Sequence, residues 1–306
     1  MKLLITGAES FVGTELRKHC EAKNIEVIGI DTVTRPSADG TVVEADIRDP
    51  NLEKHLPDNI DAIVHLAAIA RDGDCKKDPV LCFDVNVTGT ANIFRVAKAK
   101  GIPQVIYASS EWVYDTFDPA KPKMEDEAIN PLALTSEYAL SKLAGEALLK
   151  QGHLRDGIAV TVLRFGIIYG PRHDNWSAVE SLLAKVAGGE TVEVGSKLTS
   201  RGFVHVSDIA RAVLAAQGRN GFEVYNIQPD RPVTLGEVVE NAAKILGMPN
   251  TLIETNPDNP SIRNVSGVRA ATELNWHPET DIEDGLRDVA GFLEHLPSSP
   301  PQGASK

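Results

Sequence analysis

The chain of 306 residues is poor in the residue types that carry disulfide, metal and membrane functions. It has three cysteines, Cys20, Cys75 and Cys82, an odd number without CxxC spacing. Neither a disulfide framework nor a zinc site follows from such a set. The eight histidines lie far apart with no HExxH pair, so no metal is expected. No apolar run approaches the ~20 residues of a membrane span. The start, MKLLITGAES, is apolar for only a few residues before Gly7, which is short for a signal-peptide core. The expectation is a cytoplasmic protein with no membrane partner. Basic charge is also scarce: 31 Lys and Arg stand against 43 Asp and Glu, a net charge of −12. Binding to nucleic-acid phosphates needs clustered Lys and Arg, so a nucleic-acid partner is excluded. A small anion is not, because a few local arginines and backbone amides can hold one.

What is present is a regular alternation. Apolar, β-branched runs occur at 2–6 (KLLIT), 26–31 (EVIGID), 41–46 (TVVEAD), 61–68 (DAIVHLAA), 104–110 (QVIYASS) and 159–166 (AVTVLRFG). Helical patterns separate them, as at 11–23, 86–99 and 136–151. Strands apolar on both faces that alternate with helices predict an α/β fold, a doubly wound parallel sheet of Rossmann type. Crossovers of the usual right hand then place helices on both faces. After Gly170-Pro171 the elements become short and mixed, as at 191–195, 202–206, 222–227 and 251–255. The expected division is a sheet domain over 1–170 with a return segment at about 203–227. A smaller α+β substrate portion takes 171–202 and 228–296, and the Pro/Ser/Gly-rich 297–306 forms a disordered tail.

The loop Thr6-Gly7-Ala8-Glu9-Ser10-Phe11-Val12-Gly13 joins the first strand to the first helix. Gly7 can turn where a Cβ would clash, and Gly13 lets the helix pack close to the strand. The amides of a helix N-terminus suit a pyrophosphate. Asp31 ends the second strand, where a carboxylate accepts from adenosine ribose hydroxyls and repels a 2′-phosphate. This favours NAD as cofactor, with NADP kept open by Arg35. Farther along, Tyr138 and Lys142 are four residues apart, one turn on one helix face. An ammonium beside a phenol favours the phenolate, so the pair can act as a general base while hydride leaves the substrate carbon. Taken alone, YxxxK more often describes a solvent-facing pair.

Loop and pair together resemble the extended short-chain dehydrogenase/reductase family, in its NAD-dependent epimerase/dehydratase branch, over residues 1 to about 295. Of the fingerprint TGxxGxxG, Thr6, Gly7 and Gly13 match and Ser10 replaces the middle glycine. The resemblance implies a cofactor site of Gly7, Ser10, Phe11, Val12, Gly13, Asp31, Asp46, Ile47, Ala67, Ala68 and Asn86, with Tyr138 and Lys142. Asp46 and Ile47 would flank the adenine. Ser110, at the end of the fifth strand, would orient the substrate hydroxyl. Glu111 matches one of two dehydratase carboxylates, and Trp112 stands where the other is expected. A complete dehydratase is therefore not expected, and Glu111 is a candidate to act on substrate or a surface glutamate.

The same resemblance makes Arg201 the candidate to hold the diphosphate of a nucleotide sugar, with Arg172, just beyond the strand that ends in the cleft, and Arg263 as further candidates. Ile167 replaces an expected asparagine, and Asn256 a second diphosphate arginine. The segment 112–135 would border the site as a specificity lid. Helices 86–99 and 136–151 would form a homodimer. The leading expectation is an NAD-dependent epimerase acting on a nucleotide sugar through transient hydride removal. A net dehydrogenase or ketoreductase on a sugar or sugar acid is the alternative, and a non-catalytic NAD(P) sensor a further one.

Overall fold

The computed structural model describes residues 1–34 and 42–294, so Arg35 and the expected tail lie outside the described residues. Seven parallel strands form the main sheet: β1 (Lys2–Thr6), β2 (Glu26–Asp31), β3 (Val42–Glu44), β4 (Ala62–His65), β5 (Gln104–Ser110), β6 (Ala159–Phe165) and β7 (Phe222–Ile227). Their order is β7-β6-β5-β4-β1-β2-β3. Helices α1 (Phe11–Ala22), α2 (Thr90–Lys100), α3 (Glu137–Asp156) and α4 (Val206–Ala215) flank the sheet.

Alternation along β1 builds the two layers. Leu3 and Ile5 point to one face, where they pack with Leu16 of α1 and Ile209 and Val213 of α4. Leu4 points to the other, among Ile63, Ile93, Phe94 and Tyr107. Both faces are covered, which is why the strands read as continuous apolar runs. Thr6, the last residue of β1, pairs with Ile30 of β2 and His65 of β4. Chain order runs outward in both directions from this strand. The carboxyl ends of β1 and β4 thus diverge, and a crevice opens between them.

A third apolar cluster, with Tyr169, Val179, Leu183, Val239 and Leu286, forms beyond the sheet. Short strands hold this portion: Ile167–Tyr169 with Phe203–His205, Ser200–Arg201 with Val233–Thr234, and Val192–Val194 with Leu252–Glu254. One detail departs from the sequence reading. Residues 203–205 do not return to the main sheet but pair with 167–169, and the chain rejoins the sheet through α4 and β7.

A buried ion pair fastens α3 to the sheet. Arg164 of β6 and Glu146 of α3 are each 5% exposed. Arg164 Nε and one terminal nitrogen donate to the two Glu146 oxygens at 3.0 and 2.7 Å. Ser109 Oγ donates to Glu146 at 2.5 Å, and Arg164 donates to Tyr114 Oη at 3.0 Å. Tyr114 Oη donates in turn to Asn226 Oδ1 of β7 at 2.8 Å. Breaking one side of such a pair strands a buried charge. Arg164→Met is expected to cost about 3–5 kcal/mol in urea unfolding, and Arg164→Met with Glu146→Leu markedly less than that.

Candidate active site

The crevice holds a cavity of about 1130 Å³, lined among others by Gly7, Phe11, Asp31, Ala67, Tyr138 and Lys142. Gly7 has φ +68°, and a Cβ there would meet Ala67 N at 2.8 Å. A Cβ on Gly13 would meet Gly7 O at 2.2 Å. The loop is therefore a cradle of backbone into which no side chain fits. Ser10 has ordinary extended backbone and is the N-cap of α1; its Oγ accepts from Gly13 N at 3.1 Å. The serine thus has its own local reason, which the fingerprint comparison did not supply. Asp31 Oδ2 accepts from Glu9 N at 3.0 Å, which orients the carboxylate at the end of β2. A glycine cradle, a helix N-terminus and an oriented carboxylate on one cavity fit a dinucleotide such as NAD.

Beneath the cradle, His65 is bonded on both ring nitrogens. Thr6 Oγ1 lies 2.7 Å from Nδ1, and Thr90 Oγ1 lies 3.0 Å from Nε2. Thr90 already donates to Asn86 O at 2.6 Å, so Nε2 carries the proton and Nδ1 accepts from Thr6. Burial, with the Lys142 charge added, pushes the His65 pKa down to about 3, so the ring stays neutral.

Asn86 does not line the cavity itself. Its Oδ1 accepts from Ile69 N at 2.8 Å, and its Nδ2 donates to Ile69 O at 3.0 Å and Ser141 Oγ at 2.9 Å. It fixes backbone that does line the cavity. Asp46, Ile47, Ala67 and Ala68 line it directly. Both Asp46 oxygens accept from Arg48, at 2.6–3.1 Å, and this holds its carboxyl below the usual range. Arg48 also pairs with Asp84 at 2.7 Å and lines the cavity, and sequence reasoning missed it. The Ile47 side chain packs inward, where a Cβ on Gly89 would meet it at 2.5 Å.

Tyr138 and Lys142 line the cavity, and Ser110 joins them through a hydrogen bond to the Tyr138 phenol. Tyr138 and Lys142 lie one turn apart on α3, whose N-cap Ser136 accepts from Ala139 N. Lys142 is 4% exposed and its Nζ donates to Ala108 O at 2.8 Å. Nζ lies 5.9 Å from the Tyr138 ring centroid and 5.1 Å from that of Tyr107. Burial pushes Tyr138 up to about 12, although the Ser110 hydroxyl bonded to the phenol works against this. Burial pushes Lys142 down to about 8. The sequence led us to expect a phenol lowered by Lys142. In the chain by itself the phenol is raised, because burial outweighs the Ser110 hydrogen bond that favours the phenolate.

The arginines divide between two places. Glu111 is fully buried, not on the surface, and burial pushes its pKa up. Its oxygens accept from Gln228 Nε2 at 3.1 Å and from Arg263 at 3.4 Å. Arg263 lies over the rings of Trp112 and Phe117, at 4.6 and 5.3 Å. Trp112 stands edge-on to Tyr138, with centroids 6.3 Å apart. Arg201 donates to Ser200 O and Ser261 O at 2.8 and 2.6 Å, and burial, with the nearby Arg263 charge added, lowers its pKa. A second arginine therefore stands beside Arg201 even though Asn256 lies elsewhere, bonded through its N–H to Gly195 O. Arg172 is not with them. It lines the dinucleotide cavity, over the ring of Phe11.

The segment 112–135 borders this region as a pinned loop, not a free flap. Its Tyr114 is buried, and its Glu125 accepts from Asn226 N at 2.8 Å.

Lys142 is a buried cation, so its charge opposes folding. Its folded value of about 8 lies below the ordinary 10.5. The penalty is full below pH 8 and fades as pH rises toward 10.5, because there the unfolded chain binds the extra proton. Lys142→Met, free of cofactor, is expected to be about 1–4 kcal/mol more stable than wild type at pH 7. Thermal unfolding across pH checks this: the gain must shrink between pH 8 and 10.5.

Comparison with known proteins accords with this geometry. Residues 3–227 match the model of the NAD dependent epimerase/dehydratase family. The UDP-glucuronate 4-epimerase of Thermodesulfobacterium geofontis is 25% identical, with 94% of this chain and 95% of that protein covered. UDP-glucuronic acid decarboxylase 5 of Arabidopsis thaliana is 27% identical, covering 94% and 87%. The structure of MoeE5 in complex with UDP-glucose and NAD aligns with a TM-score of 0.81 at 27% identity, covering 96% of this chain and 99% of that one. The chain belongs to the NAD-dependent epimerase/dehydratase family, and its cofactor is NAD.

Proposed function

We propose that this protein is a 4-epimerase of a nucleotide-activated sugar. The observation that carries the reading is Tyr138 and Lys142 on the wall of the NAD cavity, with Ser110 bonded to the Tyr138 phenol and with Arg263, near Arg201, over the Trp112 ring. The 4-epimerase relative at 25% identity supports the choice of reaction.

In this reading Tyr138 takes the proton of the sugar 4-hydroxyl, which Ser110 orients by a hydrogen bond. Bound NAD supplies the acceptor for the hydride and later returns it. Two positive charges, the Lys142 ammonium and the oxidised nicotinamide, bring the raised phenol into working range. Tyr138 then returns its proton to the 4-oxygen of the inverted sugar, so its own protonation state is restored at the end of each turnover. Asp31 holds the adenosine ribose, Lys142 the nicotinamide ribose, and the amides at the start of α1 the cofactor diphosphate. Arg201 and Arg263 hold the substrate diphosphate; a guanidinium suits this by its permanent charge and planar donors. Glu111, bonded on both oxygens, positions Arg263. We further infer a cytoplasmic homodimer through α2 and α3, supported by the outward Ala147 and the 65% exposed Leu154.

The wild-type chain is expected to purify with NAD bound and to interconvert UDP-sugar 4-epimers without added cofactor. Product identity and NADH absorbance are read together. Tyr138→Phe should lose about 10²–10⁴-fold in kcat while keeping NAD. Stoichiometric NADH would establish a net dehydrogenase instead. Failure of UDP-, GDP- and dTDP-sugars alike to bind would refute the nucleotide-sugar reading.

A further inference from the structure

We infer that Arg172 is a ligand of the cofactor diphosphate, closing over the start of α1 from the substrate portion. This rests on the NAD reading of the cavity and deepens it.

The first observation is an account of amides. Around the cradle, Glu9 N donates to Asp31, Ser10 N to Gly7 O and Gly13 N to Ser10 Oγ. Three of the amides a diphosphate could use are thus engaged. Phe11 and Val12, the first helical residues, have no partner within the helix by its geometry. Two amides and a helix end make a thin counter-charge for a diphosphate, and of the other cations that line the cavity Arg48 is taken up by Asp46 and Asp84 and Lys142 stands beside Tyr138. A fixed cation belongs here.

The second observation is where Arg172 stands. Its guanidinium lies 4.7 Å over the ring of Phe11, the residue that opens α1. It is held from behind: Nε pairs with Glu180 at 2.8 Å, and a terminal nitrogen donates to Ile168 O at 3.3 Å. Glu180 is 1% exposed and is itself fixed, accepting from Gly170 N at 3.1 Å and Ser177 N at 2.8 Å.

The third observation is the backbone that delivers Arg172. Gly170 has φ +146°, and a Cβ there would meet Phe11 at 3.3 Å and Val206 at 2.9 Å. This turn is built to lie against the diphosphate loop. Arg172 is therefore aimed at the cofactor, and away from the Arg201–Arg263 pair that faces the substrate.

Dissociation constants for NAD are measured on the full chain, with ADP-ribose and adenosine as competitors, for wild type, Arg172→Gln and Arg172→Lys. Arg172→Gln is expected to weaken NAD and ADP-ribose at least about tenfold and leave adenosine unchanged, with Arg172→Lys between. Should Arg172→Gln fail to fold with Glu180 stranded, the double variant Arg172→Met with Glu180→Gln removes both charges and is read identically. NAD and ADP-ribose binding within twofold of wild type overturns the inference, as does an equal loss for adenosine. A raised KM for the sugar with unchanged NAD affinity overturns it too and returns Arg172 to the substrate. A wild-type chain that binds none of the three ligands instead refutes the NAD reading itself.

Discussion

No side chain fits between the loop after β1 and the loop after β4, and the rest of the site depends on that constraint. Gly7 lies against Ala67 N, and Gly13 against Gly7 O, closer than any Cβ allows. This contact brings the start of α1 over the divergence of the sheet, where orphan helix amides face the cavity. It also sets Phe11 where two later parts of the chain meet it, Gly170 by close approach and Arg172 by stacking. Residues far apart in sequence thus share one backbone reference point.

The reactive end is organised by buried polarity. Tyr138, Lys142 and Glu146 follow one another at intervals of four on α3, a stripe that a structural helix would fill with apolar residues. Glu146 is neutralised by Arg164, whereas Lys142 is bonded only to a carbonyl among the contacts described, and Tyr138 is raised by burial. The site is less stable than it could be, because Lys142 is buried without a carboxylate partner among the described residues. The net −12 of the whole chain bears little on this, because the cations that matter are a few fixed arginines and one lysine.

The sheet was legible because both faces are buried. KLLIT and DAIVHLAA admit few alternatives once Gly7 and Asp31 follow at their spacings. Tyr138 and Lys142 were legible because one helix turn brings them together. What could not be read was anything set by packing between distant segments. Glu111 looks like a strand-end surface residue until Arg263 and Gln228 close over it. Arg172 looks like a companion of Arg201 until Gly170 turns it toward Phe11. Asp46 was legible as a cavity residue, but its capture by Arg48 was not. The Ser10 cap is the exception: a serine before a helix carries its own capping signal, here at the position of the middle fingerprint glycine.

The central claim is that hydride leaves and returns to one sugar carbon, with Tyr138 moving the proton. A nucleotide sugar deuterated at C4 tests this most directly. Mass spectrometry and NMR of the 4-epimer formed should find the deuterium retained at C4, with no NADH accumulating. Exchange of the label for solvent hydrogen, or its appearance in released NADH, would contradict the account.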